Sequence, residues 1–242
     1  MNITGKSILV TGASRGIGLA LVNEALNRGA KRVYAAVRGT YQHADPRVTI
    51  LKLDVTSASQ IQQAAREVGV LDVLINNAGV ALYDDLSNAD ALAQQMAVNL
   101  YGPFHMIRAF LPQLRHSRGA IVNNVSLVAL AALPIMPGYS ISKAAAFNLT
   151  QSWRALLASD GVSVHAAIIG PTDTEMNRGL NIPKASTETT AKGILDGIEK
   201  GEEDIFPDPA SQSIADGWRN GVVKAMEHQF AGFVPASIAK VA

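Results

Sequence analysis

Two rhythms of apolar positions run along this chain. Ser7–Val10, Arg32–Val37, Val48–Leu53, Leu71–Asn76, Ala120–Val125 and Ser163–Ile169 are short and largely apolar, and read as strands. Leu71–Asn76 is the kind of run that a sheet buries on both faces. Between these runs, Ile17–Arg28, Ser57–Val68, Gly138–Ser159 and Thr187–Lys200 carry apolar residues at helical spacing, and Gly29 stops the first. Asn88–His116 predicts one long helix that Pro103 kinks or interrupts. Asp204–Phe206 adds a last short strand and Ser211–Gln229 a terminal helix. This alternation predicts an α/β fold, a doubly wound parallel sheet of about seven strands with helices on both faces, in one domain over 1–242. Ligands of such sheets sit at the carboxyl ends of the strands.

Composition narrows the classes of function. Of 242 residues, 48% are hydrophobic and 17% charged, which is globular rather than disordered. The 21 basic and 20 acidic side chains leave a net charge of +1, so no electrostatic footprint for nucleic acid or an anionic membrane is expected. Cysteine is absent, which excludes disulfide scaffolds, zinc–thiolate sites and thiol chemistry. His43, His105, His116, His165 and His228 show no metal-ligand spacing, and no metal is expected. Asp84-Asp85 and Glu202-Glu203-Asp204 read as solvated surface acids. The most apolar stretch, Leu127–Pro137, is too short to span a bilayer, and Met1–Lys6 leads into a strand-like run without a signal peptide's apolar region. A soluble cytoplasmic protein is the expectation.

Thr11-Gly12-Ala13-Ser14-Arg15-Gly16-Ile17-Gly18 joins the first strand to the first helix. Gly12 permits the sharp bend. Gly16 lets the backbone approach a pyrophosphate, which the helix start attracts through its free N–H groups and dipole. Gly18 lets the helix pack close to the sheet. A tight turn without a ligand uses glycines too, but the strand before and helix after favour a nucleotide. The spacing resembles the Thr-Gly-x-x-x-Gly-x-Gly turn of short-chain dehydrogenases/reductases, in their short single-domain branch. Asn76-Asn77-Ala78-Gly79 matches that family's Asn-Asn-Ala-Gly, and Asn99, Ser126, Tyr139 and Lys143 fall where it keeps its catalytic four. The resemblance runs to about Phe206. It implies a Rossmann-type fold, a nicotinamide cofactor, a small-molecule carbonyl or alcohol substrate, and a homodimer or homotetramer.

By the same resemblance Gly12, Ser14, Arg15, Gly16, Ile17 and Gly18 bind the cofactor at the turn, with Asp54, Val55, Asn77, Ala78 and Gly79 on its adenosine side. Asp54 fits a local turn ahead of Ser57 equally well, and Asn77 a structural tie between strands. NAD enzymes of this type usually end the second strand with an acid that holds the ribose hydroxyls. Val37 stands there, followed by Arg38, while Arg15 precedes the second glycine of the turn. Two guanidiniums on a ribose 2′-phosphate, at roughly 1.5–3 kcal/mol per bond, favour NADPH over NADH by about two to four powers of ten. NADP(H) is therefore the expected cofactor. The alternative is that both arginines are ordinary surface charges.

Tyr139 and Lys143 are four residues apart on a helix and share a face. Only about one tyrosine in a thousand is ionised at pH 7. A nearby ammonium and an oxidised nicotinamide both favour the phenolate, so such a tyrosine can exchange a proton with a carbonyl or alcohol. The bland reading is a surface pair. Ser126, at the end of the fifth strand, can hydrogen-bond the substrate oxygen. The resemblance further implies that Asn99 holds a helix kink and a water, and that Lys143 holds the nicotinamide ribose. Where the family usually shows Pro-Gly stands Ile169-Gly170, followed by Pro171-Thr172-Asp173-Thr174. Gly170, the main chain near Thr172 and the Thr174 hydroxyl carry over to the nicotinamide carboxamide.

The segment 175–186 is the expected substrate loop. Its Met176, Leu180, Ile182 and Pro183, with Leu127, Val128, Leu133, Ile135, Met136 and Val80–Tyr83, predict a mostly apolar pocket for a hydrophobic ketone or aldehyde, although any one of them can simply be core. The tail, about 208–242, with Trp218, Phe230 and Phe233, caps that pocket or joins a subunit contact. The reading is an NADPH-dependent carbonyl reductase. The alternatives are a 3-oxoacyl thioester (acyl-carrier-protein) reductase and a catalytically silent NADP-binding sensor.

Overall fold

The computed structural model describes residues 1–234. Seven parallel strands form one sheet: β1 (Ser7–Thr11), β2 (Arg32–Val37), β3 (Val48–Lys52), β4 (Val73–Asn76), β5 (Ala120–Asn124), β6 (Ser163–Ala167) and β7 (Asp204–Ile205), in the order β3-β2-β1-β4-β5-β6-β7. The order reverses between β1 and β4, where Val10 pairs with Ala35 on one side and Ile75 on the other. Successive residues of a strand face opposite ways, and both faces are apolar. Ile8 and Val10 join the core beneath α1 (Gly16–Asn27) and α6 (Thr187–Lys200). Leu9 joins the core shared with α2 (Ala58–Glu67), α4 (Gly102–Ser117) and α5 (Pro137–Leu157). The result is the Rossmann-type α/β sheet expected from the alternation of runs.

The long helix expected over Asn88–His116 is three pieces: α3 (Ala89–Met96), a π-helical segment Ala97–Tyr101, and α4. Pro103 sits in the first turn of α4, directly after the interruption. The irregularity lies upstream, in the wider turn that holds Asn99. The single terminal helix is also two, α7 (Pro209–Arg219) and α8 (Val222–Ala231), broken at Asn220-Gly221. Asp208 caps α7, with Ser211 returning the bond in a capping box.

Asp204 corrects the reading of its neighbourhood as solvated acids. It is buried, pairs with Arg154 at 2.7 Å and Lys224 at 2.9 Å, and accepts from Trp218 Nε1 at 2.8 Å. Glu227 bonds both Arg154 and Lys224, so this charge cluster holds α8 against α5. Trp218 packs edge-on against Phe147, ring centres 5.5 Å apart, within the chain's own core. Phe230 and Phe233 are exposed, and the end of the expected tail, 235–242, lies outside the described residues. Among the described residues no helix is long and apolar enough to cross a membrane.

Candidate active site

The carboxyl ends of β1, β4, β5 and β6 converge on one edge of the sheet. At β1 the glycine turn is built by close contacts. Gly12 has φ +66°, and a Cβ there would stand 3.0 Å from Ala78 Cα. Gly16 has φ +56° and faces the Thr174 methyl. A Cβ on Gly18 would lie 2.2 Å from the Gly12 carbonyl oxygen and 2.6 Å from Asn77 Nδ2. The start of α1 is thus pressed against the ends of β1 and β4, where a side chain at Gly18 has no room. α1 begins without a side-chain cap and without an acid in its first turn. Its leading N–H groups are left for another acceptor.

The strand ends are laced together by amides. Thr11 Oγ1 accepts from Asn77 N and Ala78 N, both at 3.0 Å. Asn77 Nδ2 donates to the Thr11 carbonyl at 2.9 Å, and its Oδ1 accepts from Asn124 Nδ2 at 2.9 Å. Asn77 thus forms the tie between strands. Asp54 makes its local turn: Oδ1 accepts from Thr56 N and Oγ1 at 2.9 and 2.7 Å. The Thr56 N–H and hydroxyl, with the Arg38 guanidinium, hold its carboxyl below the usual range against the opposing effect of burial. The Val55 side chain is buried against Gly102 of α4.

Val37 is buried at the end of β2 and Arg38 follows it, exposed. Arg15 is also exposed and pairs with Glu175, the first residue of the expected substrate loop. On β6's side the Thr172 hydroxyl turns inward to the Gly170 carbonyl and Thr190, leaving only its main chain toward the site. Thr174 Oγ1 donates to the Thr172 carbonyl at 3.4 Å. Gly170 is fixed by buried Asp208: its N–H donates to Oδ2 at 2.7 Å, and a Cβ would meet Oδ1 at 2.4 Å.

The four expected catalytic residues come together. Ser126 ends β5 and starts a short 3-10 turn, Leu127–Ala129. Tyr139 lies in the first turn of α5, half-buried, in contact with the Ser126 hydroxyl. Lys143, one turn on and buried, donates from Nζ to the Asn124 carbonyl at 2.7 Å. That Nζ stands 5.7 Å from the centre of the Tyr139 ring. Asn99 is buried in the π segment. Its carboxamide accepts from Val80 N at 2.9 Å and donates to the Val80 carbonyl at 2.8 Å and to Ser142 Oγ at 2.9 Å. Ser142 in turn donates to the Tyr139 carbonyl at 2.7 Å.

Burial pushes Tyr139 up to about 12, and the Ser126 hydroxyl pulls only part of the way back. Burial also brings Lys143 down to about 8. Burial disfavours the charged form of both groups, which raises the phenol and lowers the amine. Tyr139 here is a neutral acid, able to donate.

The sequence reading missed Asn124, Ser142 and Asp208. The polar pair Asn123-Asn124 inside an apolar run was a signal for the first. Asn124 Oδ1 is buried with no partner. A glycine cradle, an uncapped helix start and a buried ammonium beside a phenol together fit a dinucleotide carrying a reactive ring.

A family described as short chain dehydrogenase matches residues 6–185. Short-chain dehydrogenase PC-15 of Penicillium crustosum is 38% identical over 182 residues, which are 70% of this chain and 66% of that protein, so the match spans just under two thirds of that relative. 2-(S)-hydroxypropyl-CoM dehydrogenase 3 of Xanthobacter autotrophicus is 34% identical over 205 residues, 77% of this chain and 80% of that protein. The crystal structure of a short chain dehydrogenase from Burkholderia cenocepacia J2315 in complex with NADP superposes with a TM-score of 0.85 at 38% identity, covering 91% of this chain and 95% of that one.

Proposed function

Because the chain belongs to the short-chain dehydrogenase family, we propose that it is an NADP(H)-dependent oxidoreductase that interconverts a hydrophobic ketone or aldehyde and its alcohol. The observation that carries the reading is Tyr139, neutral and in contact with the Ser126 hydroxyl, one helical turn from the Lys143 ammonium at the carboxyl edge of the sheet. The cofactor reading is supported by the buried Val37 and the Arg38 after it, where an acid would favour NADH, and by the NADP in the Burkholderia relative.

A bound nicotinamide supplies the hydride. The residues of this chain handle the proton. The Ser126 hydroxyl hydrogen-bonds the substrate oxygen, and Tyr139 donates its proton to that oxygen as charge develops there. At pH 7, below its pKa of about 8, Lys143 is charged and favours the phenolate left behind. Asn99 and Ser142 tie the loop after β4 to the main chain of Tyr139, fixing where the phenol stands. In the reverse direction the Tyr139 phenolate, favoured by the Lys143 charge, accepts the proton of the alcohol while Ser126 holds the same oxygen.

Large apolar side chains exposed on the loops that leave this edge support a hydrophobic substrate: Tyr83 after β4, Leu133 and Ile135 after β5, Met176 and Ile182 after β6. The test is oxidation of NADPH and NADH over a panel of aryl ketones, aldehydes, diketones, steroids and oxoacyl thioesters. NADPH consumption with hydrophobic carbonyls is expected. Tyr139→Phe should abolish it while leaving NADPH affinity within about threefold, since the hydroxyl acts on the substrate oxygen. No consumption across the panel removes the reading and favours a binding protein.

A further inference from the structure

Asp84 has the setting of a working residue rather than the solvated acid its sequence suggests. It lies on the loop between β4 and α3, half-buried. One carboxylate oxygen, Oδ1, accepts from Gly138 N at 3.3 Å and from Leu86 N at 3.1 Å. The other, Oδ2, accepts from Gln95 Nε2 at 3.2 Å. Gln95 is the one buried residue of α3, and its Oε1 accepts from Leu82 N at 3.1 Å. Gly138 immediately precedes Tyr139. A Cβ on it would come within 2.6 Å of Gln95 Nε2 and 2.8 Å of Asp84 Oδ2, so bare backbone is pressed against the pair.

The first turn of α5 lacks a cap of its own: Met136 stands at the cap position and offers no side-chain bond. Asp84 supplies the missing acceptor from another loop, and its charge suits a helix N-terminus. The same carboxylate holds Leu86 at φ +66°, a conformation that residues with a Cβ rarely adopt. One side chain therefore fixes both the bend of the loop beside the site and the helix start that carries the phenol.

We infer that Asp84 and Gln95 are positioning residues for Tyr139, locking the first turn of α5 to the loop that flanks the substrate. The inference rests on the proposed proton transfer by Tyr139. It acts beside the Asn99–Ser142 tie, which reaches α5 from the other flank of the same helix turn.

The amide and carboxylate are complementary, and this gives a test that a general loss of stability would not pass. Asp84→Asn sets an NH2 group against Gln95 Nε2, two donors face to face. Gln95→Glu sets two carboxylates together. The double variant Asp84→Asn with Gln95→Glu restores the bond between the two side chains with donor and acceptor exchanged, and leaves an oxygen at each position for the backbone N–H groups of Gly138, Leu86 and Leu82. Each single variant should lose about tenfold or more in kcat, because displacement of a catalytic group by a fraction of an ångström has effects of that order. The double variant should return to within about threefold of wild type, with NADPH affinity unchanged in all three. Asp85→Asn, an exposed neighbour bonded only to Ser87, should leave kcat alone. Single variants with wild-type kcat, or a double variant no better than either single, overturn the inference.

A readout free of turnover separates this from the functional reading. Amide exchange at Gly138 should quicken about tenfold in Asp84→Ala, because its acceptor is gone. Unchanged exchange refutes the clamp whatever the enzyme does. Quickened exchange in a protein that turns over nothing on the panel upholds the clamp and refutes the proposed chemistry.

Discussion

Gly18→Ala isolates the glycine turn from everything else in the site. The added Cβ would stand 2.2 Å from the Gly12 carbonyl oxygen, where ordinary contact begins at 3.4 Å, so the two must separate by about 1.2 Å. The obstacle is backbone and cannot rotate aside. The second obstacle, Asn77 Nδ2 at 2.6 Å, yields only by abandoning the Thr11 carbonyl. Overpacking of this kind costs about 1–3 kcal/mol and the broken bond about 0.5–1.5, roughly 2–4 kcal/mol together. For a chain of this length that is a fall of about 5–15 °C in Tm. The turn that moves is also the phosphate cradle. Loss of one or two charge-assisted bonds there weakens NADPH by about ten- to thousandfold. Scanning fluorimetry with and without NADPH, and a fluorescence titration, read both effects. Gly217→Ala is the control: nothing lies within 4 Å of its Cβ in α7, and replacing a helical glycine should stabilise by about 0.5–1 kcal/mol. A Gly18→Ala protein with unchanged Tm and unchanged NADPH affinity would refute the contact argument.

Other expectations follow from the charges. Lys143 binds its proton more weakly when folded, at about 8 against 10.5, so between those pH values the unfolded chain holds the extra proton and stability rises with pH. Relative to Lys143→Met, wild type should gain on the order of 3 kcal/mol across that window, measured by urea unfolding; parallel curves would contradict the burial of the ammonium. Arg15→Ala combined with Arg38→Ala should erase most of any preference for NADPH, about a hundredfold in the ratio of Kd values; an unaltered ratio means that neither side chain meets the 2′-phosphate. Asp204→Ala removes the buried carboxylate shared by Arg154, Lys224 and Trp218, leaving Glu227 to pair both cations, and should cost about 2 kcal/mol in urea; no measurable change would show that Glu227 alone suffices.

The sheet was legible because strands buried on both faces must be apolar almost throughout, as Val73–Ile75 and Ala120–Val122 are. Site placement was legible because Gly12, Asn77 and Ser126 each follow closely on the end of such a run, and the four-residue spacing of Tyr139 and Lys143 puts them on one helix face. The π segment was not. One extra residue shifts the phase of the apolar pattern once, by about 100°, and a single step of that kind does not stand out in a run this long. Asp84 and Asp204 were misread for a different reason. Local composition says nothing about Gln95, Gly138, Arg154 or Lys224, which arrive from distant parts of the chain to receive them. The hydrogen-bond acceptor of Lys143 was not legible either: the Asn124 carbonyl comes from the end of β5, nineteen residues earlier in the chain.

The wide turn at Ala97–Tyr101 also sets an angle. Each residue of an α-helix advances the chain by about 100°. Deleting one residue there would leave a continuous regular helix, yet swing all of α3 by about that amount relative to α4. Gln95 would rotate out of the interior and Asp84 would face empty space, with no residue of the pair altered. The polar lining on that flank is thus dialled by a residue count, a property of chain length that no side-chain substitution reproduces.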